Sequence, residues 1–367
     1  MHVVKLSLIN FKNYAEITLD FSQHINCIVG SNGAGKTNLL DAIHYLSLTK
    51  SAFNSVDSQN IRFGQDYFMV KGLINKDGDG ETEVLCALQK GKKKTFKVDG
   101  SEYEKFSDHI GQFPVVLIAP DDSEVIKGSG ELRRKFFDSI ISHINKAYLD
   151  DLVRYNHFLK QRNALLKKFN EGFRFDEDLL FPYNKELIRL NKRIHKERLD
   201  FSHRFNFLFE LIYQELSMGK EVARVVYESS VDTENLEQQF ESSLEKDRAL
   251  ERTTLGIHRD DFKFLLDNRS VKKFGSQGQQ KSFLLALKVA NYNLIKEFKD
   301  FNPVLMLDDI FDKLDAQRIS RLLKIISKDD FGQIFITDAR KERTVQLLKQ
   351  LNLEATFYSM ESGSLVK

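Results

Sequence analysis

A glycine-rich turn near the amino terminus carries the most specific chemistry in this sequence. The motif G-x-x-x-x-G-K-[ST] is matched at every defined position by Gly30, Ser31, Asn32, Gly33, Ala34, Gly35, Lys36 and Thr37, and Asn38 follows it. Such a turn directs backbone N–H groups at phosphate oxygens, and the helix that starts there adds its positive dipole end. We expect Lys36 to reach the β- and γ-phosphates of a nucleotide and Thr37 to bind Mg²⁺. A strand-like run precedes the turn and a helix-like run follows it, which argues against a chance glycine-rich loop.

Two adjacent carboxylates supply a second chemical element. Asp308 and Asp309 end the apolar run PVLMLDD, which is typical of a buried parallel strand. Such a strand would bring both acids to the same sheet edge as the glycine-rich turn. Asp308 is then placed to hold Mg²⁺ through its water shell, and Asp309 to orient an attacking water. Adjacent acids also form simple turns or helix caps, but beside a glycine-rich turn of this type they favour phosphoryl chemistry.

A third polar segment opens a helix shortly before the two acids. It consists of Ser276, Gln277, Gly278 and Gln279, and the amphipathic run FLLALKVANYNLI follows it. Ser276 and Gln279 have the spacing of a capping box, so a well-capped helix is the plain interpretation of this segment.

The elements that must position these residues change along the chain. Residues 1 to about 120 contain short strand-like runs, interrupted by one helix after the glycine-rich turn. Apolar residues then recur every three or four positions from Phe137 to Leu159, which predicts one long amphipathic helix, and a second helix follows Pro182. Near Thr254 the strand pattern returns. We therefore predict an α/β domain built from both chain ends, with an all-helical domain inserted between them.

Composition and charge exclude several classes of protein. The chain has 367 residues, of which 41% are apolar and 29% are charged, and its net charge is +2. This length and composition suit two ordinary domains. No apolar run is long enough to span a membrane, and the amino terminus has a strand pattern rather than that of a signal peptide. Cys27 and Cys86 lie in separate apolar runs, which favours core packing in a reducing, cytoplasmic setting.

The segment from Ser276 to Gln279, at this distance before the acidic strand, resembles the signature motif of the ABC ATPases. The resemblance implies that Ser276, Gly278 and the helix dipole contact the γ-phosphate held by the glycine-rich turn of a second subunit. Phe311 to Asp315 resembles the D-loop of that superfamily. P-loop GTPases and RecA-type motors have no signature motif, so the resemblance favours an ABC-type ATPase head, which we predict for residues 1–128 and 252–367 with residues 129–251 as the insertion.

Further segments resemble one family of ABC ATPases, the RecF proteins. They are SLINFKNYAEITLDF, GSNGAGKTNLLDAIHYLSLTKS, ELRRKFFD, YNHFLKQRNALLK, GIHRDDF, FGSQGQQKS and LMLDDIFDKLD, in the family's order and over nearly the whole chain. The resemblance implies a cytosolic bacterial ATPase that uses ATP and Mg²⁺, forms a homodimer with ATP and clamps DNA. It also implies action with RecO and RecR in recombinational repair and replication restart, where RecA is loaded at gaps.

The hydrolytic residues differ from those of ABC transporters. Asp309 stands where transporters usually carry glutamate, and the position of their switch histidine falls in IFITDAR, which leaves Thr337 or Asp338 for that role. A shorter acid without this histidine favours slow hydrolysis, which we expect DNA to stimulate. The alternatives are a nucleotide-dependent scaffold without significant hydrolysis and a transporter ATPase subunit, whose helical insertion is usually short.

Clusters of basic residues indicate candidate DNA contacts. They are Lys92, Lys93 and Lys94 in KGKKKTF, and Arg133, Arg134, Arg162, Lys167 and Lys168 in the helical insertion. Clustered cations suit a phosphate backbone, although lysines at the edge of a sheet also simply prevent aggregation. The sequence has no base-reading motif, so we expect weak sequence preference on double-stranded or gapped DNA.

Overall fold

The computed structural model describes residues 1–76, 80–172, 174–313, 316–328 and 331–366, which form two compact units. Unit 1 contains Met1–Ser123, Ile212–Gly219 and Gln277–Lys367, and unit 2 contains Glu124–Leu211 and Lys220–Ser276. Both chain ends therefore belong to unit 1. The segment 252–276, which the sequence assigns to the ATPase head, lies in unit 2.

The elements are numbered in chain order. The strands are β1 (His2–Phe11), β2 (Tyr14–Asp20), β3 (Ile25–Val29), β4 (Tyr67–Asn75), β5 (Glu81–Gln89), β6 (Thr95–Val98), β7 (Ser101–Glu102), β8 (Val115–Ile118), β9 (Ala223–Glu228), β10 (Asp261–Leu266), β11 (Arg269–Ser270), β12 (Val304–Leu307), β13 (Ile334–Asp338), β14 (Ala355–Glu361) and β15 (Ser364–Val366). The helices are α1 (Lys36–Leu48), α2 (Ser123–Lys127), α3 (Gly130–Ile144), α4 (Lys146–Asn170), α5 (Phe181–Ser217), α6 (Leu236–Ala249), α7 (Val271–Phe274), α8 (Gln277–Lys299), α9 (Ile310–Lys313), α10 (Ala316–Lys328) and α11 (Lys341–Gln350).

A mostly parallel sheet in the order β15-β14-β3-β13-β12-β8 forms the centre of unit 1. Strands β3, β12 and β13 are buried along their whole length, as apolar parallel strands usually are. In the register, Thr337 of β13 lies beside Ile28 of β3, and Leu307 of β12 lies beside Ile336 of β13. The carboxyl ends of these three strands are therefore adjacent.

An antiparallel sheet in the order β2-β1-β4-β5-β6-β7 completes unit 1. Its strands alternate between buried and more exposed residues, as in β4, so that one face enters the hydrophobic core. Helix α1 contributes its apolar residues to the same core. Gly72 of β4 makes this close approach possible, because a Cβ there would lie only 2.4 Å from Leu46 Cδ1. The helix that begins at the glycine-rich turn is thereby packed against the antiparallel sheet.

Unit 2 is mainly helical, but the single helix predicted around Phe137 to Leu159 is wrong. The chain instead forms α3 and α4, separated at Asn145. Asn145 has extended backbone angles, and its side chain accepts a hydrogen bond from the Tyr148 backbone N–H at 3.1 Å. Asparagine favours this N-cap arrangement over a helix interior, which explains the break.

Unit 2 also contains a small sheet that the sequence pattern did not reveal. Strand β9 lies inside the segment predicted as helical and pairs with β10, and β11 completes the order β11-β10-β9. The run ARVVYE of β9 is rich in β-formers but short, and its edge position becomes evident only from its partner.

A buried ion pair joins the helices of unit 2. The Arg162 guanidinium donates to Asp247 Oδ2 at 2.7 Å, to Thr253 Oγ1 at 2.8 Å and to Asn184 Oδ1 at 2.7 Å. Both charged side chains are completely buried. Loss of one partner would leave the other as an uncompensated buried charge, so the pair makes α4 and α6 mutually dependent.

A second buried network holds the segment that follows the insertion. Asp260 accepts hydrogen bonds from Arg198 at 3.1 Å, from Ser229 at 2.6 Å and from Tyr227. Burial raises the pKa of Asp260 above its ordinary value. Arg198 also bonds Asp138 of α3, so Asp260 is tied to several elements of unit 2 at once.

No helix in the described part of the chain is long and apolar enough to cross a membrane.

The Arg162 pair gives a prediction for stability. Arg162→Met should lower the free energy of unfolding by about 3–5 kcal/mol in urea denaturation, because Asp247 stays buried without its partner. Arg162→Met combined with Asp247→Leu should regain part of this loss, since it removes both charges. Lys168→Ala, an exposed change on the same helix, should stay within about 0.5 kcal/mol of wild type. A single variant as stable as Lys168→Ala would contradict the structural role of Arg162.

Candidate nucleotide-binding site

The glycine-rich turn connects β3 to α1 in the arrangement that the sequence predicts. Lys36 is the first residue of α1, and Gly33 and Gly35 have φ angles of 83° and 107°. These left-handed angles strain residues with a side chain, which explains glycine at both positions. At Gly30 the limit is space, because a Cβ would lie 2.2 Å from the Met360 backbone oxygen.

Lys36 folds back onto the turn. Its Nζ donates to the backbone oxygens of Gly30 at 2.8 Å and Ser31 at 3.0 Å, and the residue is buried. The ammonium group is therefore held within the turn whose N–H groups and helix dipole also favour an anion.

Asn13 and Tyr14, at the start of β2, support the turn from outside. The Tyr14 hydroxyl donates to the Gly35 backbone oxygen at 2.9 Å, and Asn13 Oδ1 accepts from Asn38 Nδ2 at 2.8 Å. Asn13 Nδ2 also lies 3.4 Å from the Ala34 oxygen. Sequence reasoning assigned neither residue to the site, because the segment FKNY, from the end of β1 to the start of β2, gives no local sign of these contacts.

The acid pair meets the turn at the sheet edge. The Thr37 hydroxyl donates to Asp308, 3.0 Å from each carboxylate oxygen, although 271 residues separate the two in sequence. Burial raises the pKa of Asp308, while hydrogen bonds from Thr337 and Thr37 act in the opposite direction. Asp309, the next residue, lines the cavity next to the turn and has a left-handed φ of 45°.

Of the two candidate switch residues, Thr337 faces the acid pair and Asp338 does not. The Thr337 hydroxyl donates to Asp308 Oδ1 at 2.7 Å and accepts from the Asp309 backbone N–H at 2.9 Å. Asp338 instead binds Arg343 at 2.5 Å and Thr344 at 2.7 Å. Burial raises the pKa of Asp338, but these hydrogen bonds hold it below its ordinary value.

The residues at this edge fit a magnesium nucleotide. A cavity of about 260 Å³ is lined by Asn32, Gly33, Gly35, Lys36, Thr37, Asn38 and Asp309. Thr37 and Asp308 supply hard oxygen donors at its margin, and Mg²⁺ at such sites needs only one or two protein ligands because phosphates and waters complete its shell. The described residues contain no cluster of three or more His, Cys, Asp or Glu that could enclose a metal by itself.

Ser276 is the last residue of unit 2, and Gln277, Gly278 and Gln279 open α8 in unit 1 without lining this cavity. Gly278 leaves room for Arg318 of α10, since a Cβ there would lie 2.5 Å from Arg318 Nη2. Arg318 in turn donates to Ser282 Oγ at 2.9 Å. Among the described residues of unit 1, Gln277 to Gln279 are therefore not part of the P-loop cavity. The last two residues of the predicted D-loop, 314 and 315, lie outside the described residues.

The predicted DNA contacts fall into two groups. Lys92, Lys93, Lys167 and Lys168 are exposed. The remaining four have internal partners. Arg162 is completely buried with Asp247, so its assignment as a DNA contact is wrong, for the reason that a buried guanidinium cannot reach a phosphate backbone.

Three other cations are also held within the fold. Lys94 Nζ binds Asp57 at 2.7 Å with only 10% of its side chain exposed. Arg133 forms two bonds of 2.8 Å to the Asp261 carboxylate. Arg134 donates to the Asp260 backbone oxygen at 2.5 Å. Each of these charges has a short internal partner, but all three residues are only partly buried, so their assignment as DNA contacts stays a prediction.

Fold and site together define an ABC-type ATPase head, in which a P-loop and an acidic strand meet at one edge of a parallel sheet. The Smc head domain of Pyrococcus furiosus, solved with the C-terminal domain of ScpA, has this fold, with a TM-score of 0.57 at 19% identity over 99% of this chain and 95% of that chain. The predicted ABC-ATPase head is confirmed, whereas the insertion predicted as all-helical contains strand β9.

The chain belongs to the RecF family, as the sequence predicts. Residues 2–358 match the model of the RecF/RecN/SMC N-terminal domain. The chain is 44% identical to the DNA replication and repair protein RecF of Flavobacterium johnsoniae, over 95% of this chain and 97% of the relative. It is 46% identical to the protein of the same name from Cytophaga hutchinsonii, over 94% and 91%. A solved structure of the recombination mediator protein RecF with ATP, of the RecFOR pathway, matches with a TM-score of 0.90 at 30% identity, over 100% of this chain and 97% of that chain.

The geometry of Gly35 gives a prediction for ligand binding. A Cβ there would lie 2.5 Å from Asn13 Nδ2 and 2.8 Å from Tyr14 Oη, so Gly35→Ala should displace the turn and weaken ATP binding at least about tenfold in calorimetry. Gly64→Ala is the matched control, because Gly64 also has a left-handed φ, 80°, but no atom within 4 Å of its Cβ position. It should bind ATP like wild type. Equal affinities in the two variants would contradict the packing described for the turn.

Proposed function

We propose that this protein is an ATP-dependent DNA-binding protein of recombinational repair and replication restart, acting in the bacterial cytoplasm. The contact between Thr37 and Asp308 carries the proposal, because it joins a P-loop from one chain end to an acid pair from the other. The names of the RecF relatives, a DNA replication and repair protein and a recombination mediator protein, support the role in repair.

Different residues of the site are proposed to bind the phosphates, to bind Mg²⁺ and to orient a water. The backbone of Gly30 to Gly35 and the Lys36 ammonium are proposed to hold the phosphates, with Asn38 at the margin of the cavity. Thr37 and Asp308 would hold Mg²⁺, which when bound neutralises charge on the β- and γ-phosphates. Asp309 would accept a hydrogen bond from a water and so orient it toward the γ-phosphate.

Slow hydrolysis is proposed from the same residues. Asp309 is one methylene shorter than glutamate, and its backbone has a left-handed conformation. Its carboxylate therefore extends less far toward an attacking water than a glutamate carboxylate would, which favours slow hydrolysis. Thr337, at the place of a switch histidine, donates its hydroxyl proton to Asp308. Hydrolysis with these groups suits a timer that releases DNA rather than a motor, and we propose that bound DNA stimulates it.

A homodimer is proposed because Gln277 to Gln279, which belong to the same unit as the P-loop, do not line its cavity. Ser276 and Gln277 are exposed at the start of α8, where the helix dipole favours an anion. ATP bound to one P-loop would then be contacted by this segment of a second copy. Closure of two heads on ATP would hold DNA at gaps. Because the chain belongs to the RecF family, we also propose that it acts with RecO and RecR and helps to load RecA.

Substitutions in the site test the nucleotide part. Lys36→Ala should abolish ATP binding and ATP-dependent dimerisation in sedimentation, because it removes the charge that neutralises the phosphates. Asp309→Asn should keep ATP bound and still dimerise, but release phosphate at least about tenfold more slowly, because only water orientation is affected. Wild-type protein that binds ATP and dimerises without phosphate release, with or without DNA, would favour a scaffold without hydrolysis. Dimerisation of Lys36→Ala with ATP would contradict the P-loop assignment.

Salt dependence tests the DNA part. In the double variant Lys92→Ala and Lys93→Ala, the plot of log K for binding duplex DNA against log salt concentration should become less steep by about 1.8. This is about 0.9 for each phosphate that the protein no longer neutralises. Lys167→Ala with Lys168→Ala tests the second unit in the same way. Lys135→Ala is the control, because Lys135 already pairs with Glu131 at 2.7 Å. An unchanged slope in both double variants would place the DNA surface elsewhere.

A further inference from the structure

We propose that Thr337 is a positioning residue that holds both acids of the nucleotide site, and that it does not contact the γ-phosphate. This inference rests on the proposed binding of ATP and Mg²⁺ and assigns a role to a residue at the sheet edge beside them.

Thr337 is a polar interruption near the end of an apolar strand. It follows Ile334, Phe335 and Ile336 in β13, and it is completely buried. A buried hydroxyl requires hydrogen-bond partners, and this one has two. It donates to Asp308 Oδ1 at 2.7 Å and accepts from the Asp309 backbone N–H at 2.9 Å.

The first bond fixes the Asp308 carboxylate. Thr37 donates to the same carboxylate at 3.0 Å from α1, so two hydroxyls from different elements approach it. A carboxylate held from two directions cannot rotate freely, and the orientation of its remaining lone pairs is set before a metal arrives. Partners of this kind commonly tune the affinity of metal ligands.

The second bond stabilises the unusual backbone of Asp309. A φ of 45° is unfavourable for a residue with a side chain, and such conformations persist only where the surroundings enforce them. The bond from the Asp309 N–H to Thr337 supplies such a restraint. In this conformation Asp309 lines the cavity beside Lys36 and Thr37. Thr337 therefore couples the metal-binding acid to the water-orienting acid through one oxygen.

A direct phosphate contact by Thr337 conflicts with this geometry. A hydroxyl has a single proton to donate, and that of Thr337 is directed to Asp308. The neighbouring acid, Asp338, cannot replace it, since Arg343 and Thr344 occupy its carboxylate.

Three variants test the assignment. Thr337→Val keeps the shape but removes both hydrogen bonds, and Thr337→Ser restores them. Thr344→Val is the matched control, because Thr344 is an equally buried threonine whose hydroxyl bonds Asp338 and its own helix. The measurements are the Mg²⁺ concentration at half-maximal binding of ATPγS, the affinities for ATP and for ADP in EDTA, and kcat and KM for phosphate release.

Thr337→Val should raise the half-maximal Mg²⁺ concentration and lower kcat, each by about 10- to 100-fold. Its affinity for ATP in EDTA should stay within about twofold of wild type, because the P-loop contacts are untouched. Thr337→Ser should recover most of both losses, and Thr344→Val should show neither. Thr337→Ala replaces the valine variant if thermal melting shows that the latter does not fold.

Two results would overturn the inference. Unchanged Mg²⁺ dependence and kcat in Thr337→Val would leave only a packing role. Selective loss of ATP over ADP affinity, with unchanged Mg²⁺ dependence, would make Thr337 a phosphate sensor. Wild-type protein without Mg²⁺-dependent nucleotide binding would instead overturn the proposed function, and this inference with it.

Discussion

The alignment of β3, β13 and β12 in one buried parallel sheet is the constraint on which the nucleotide site depends, and its clearest result is the hydrogen bond between Thr37 and Asp308. This bond joins residues 271 positions apart, and it forms only because β3, β13 and β12 lie side by side with their carboxyl ends level. Each of these strands is buried throughout, so the sheet that aligns them is also the core of unit 1. Moving any of the three by one residue would turn every side chain of that strand to the opposite face of the sheet, disrupt the packing on both faces and shift the two halves of the site apart.

The buried charges of unit 2 obey a related constraint. Arg162 and Asp260 belong to segments that resemble the RecF family, and both are locked into internal networks with Asp247 and Arg198. Such groups are costly to bury alone, so they specify which helices and strands pack together. Segments that identify a family can therefore define the folding of a unit without touching a ligand.

The features that could be predicted from the sequence are those that depend on residues close together in the chain. Gly33, Gly35 and Lys36 act through backbone angles and spacing within a few residues, so the P-loop and the helix after it follow from the sequence. The acid pair could be predicted because it ends an apolar run in a chain that also carries a P-loop, although two adjacent acids alone would also suit a turn or a helix cap. Arg162 was misassigned because its partner Asp247 lies 85 residues away, and a cation on a helix gives no local sign that it is buried. The contacts of Asn13 and Thr337 were not predicted for the same reason, because their partners lie far away in the sequence.

A double-mutant cycle on Thr37 and Asp308 tests the central claim most directly. Calorimetry would measure ATP binding to wild type, Thr37→Val, Asp308→Asn and the double variant, each with Mg²⁺ and with EDTA. If the two residues hold one metal, their effects with Mg²⁺ should be coupled by more than about 1 kcal/mol, and the coupling should vanish in EDTA. Additive losses with Mg²⁺, or the same losses in EDTA, would contradict a site assembled from both ends of the chain.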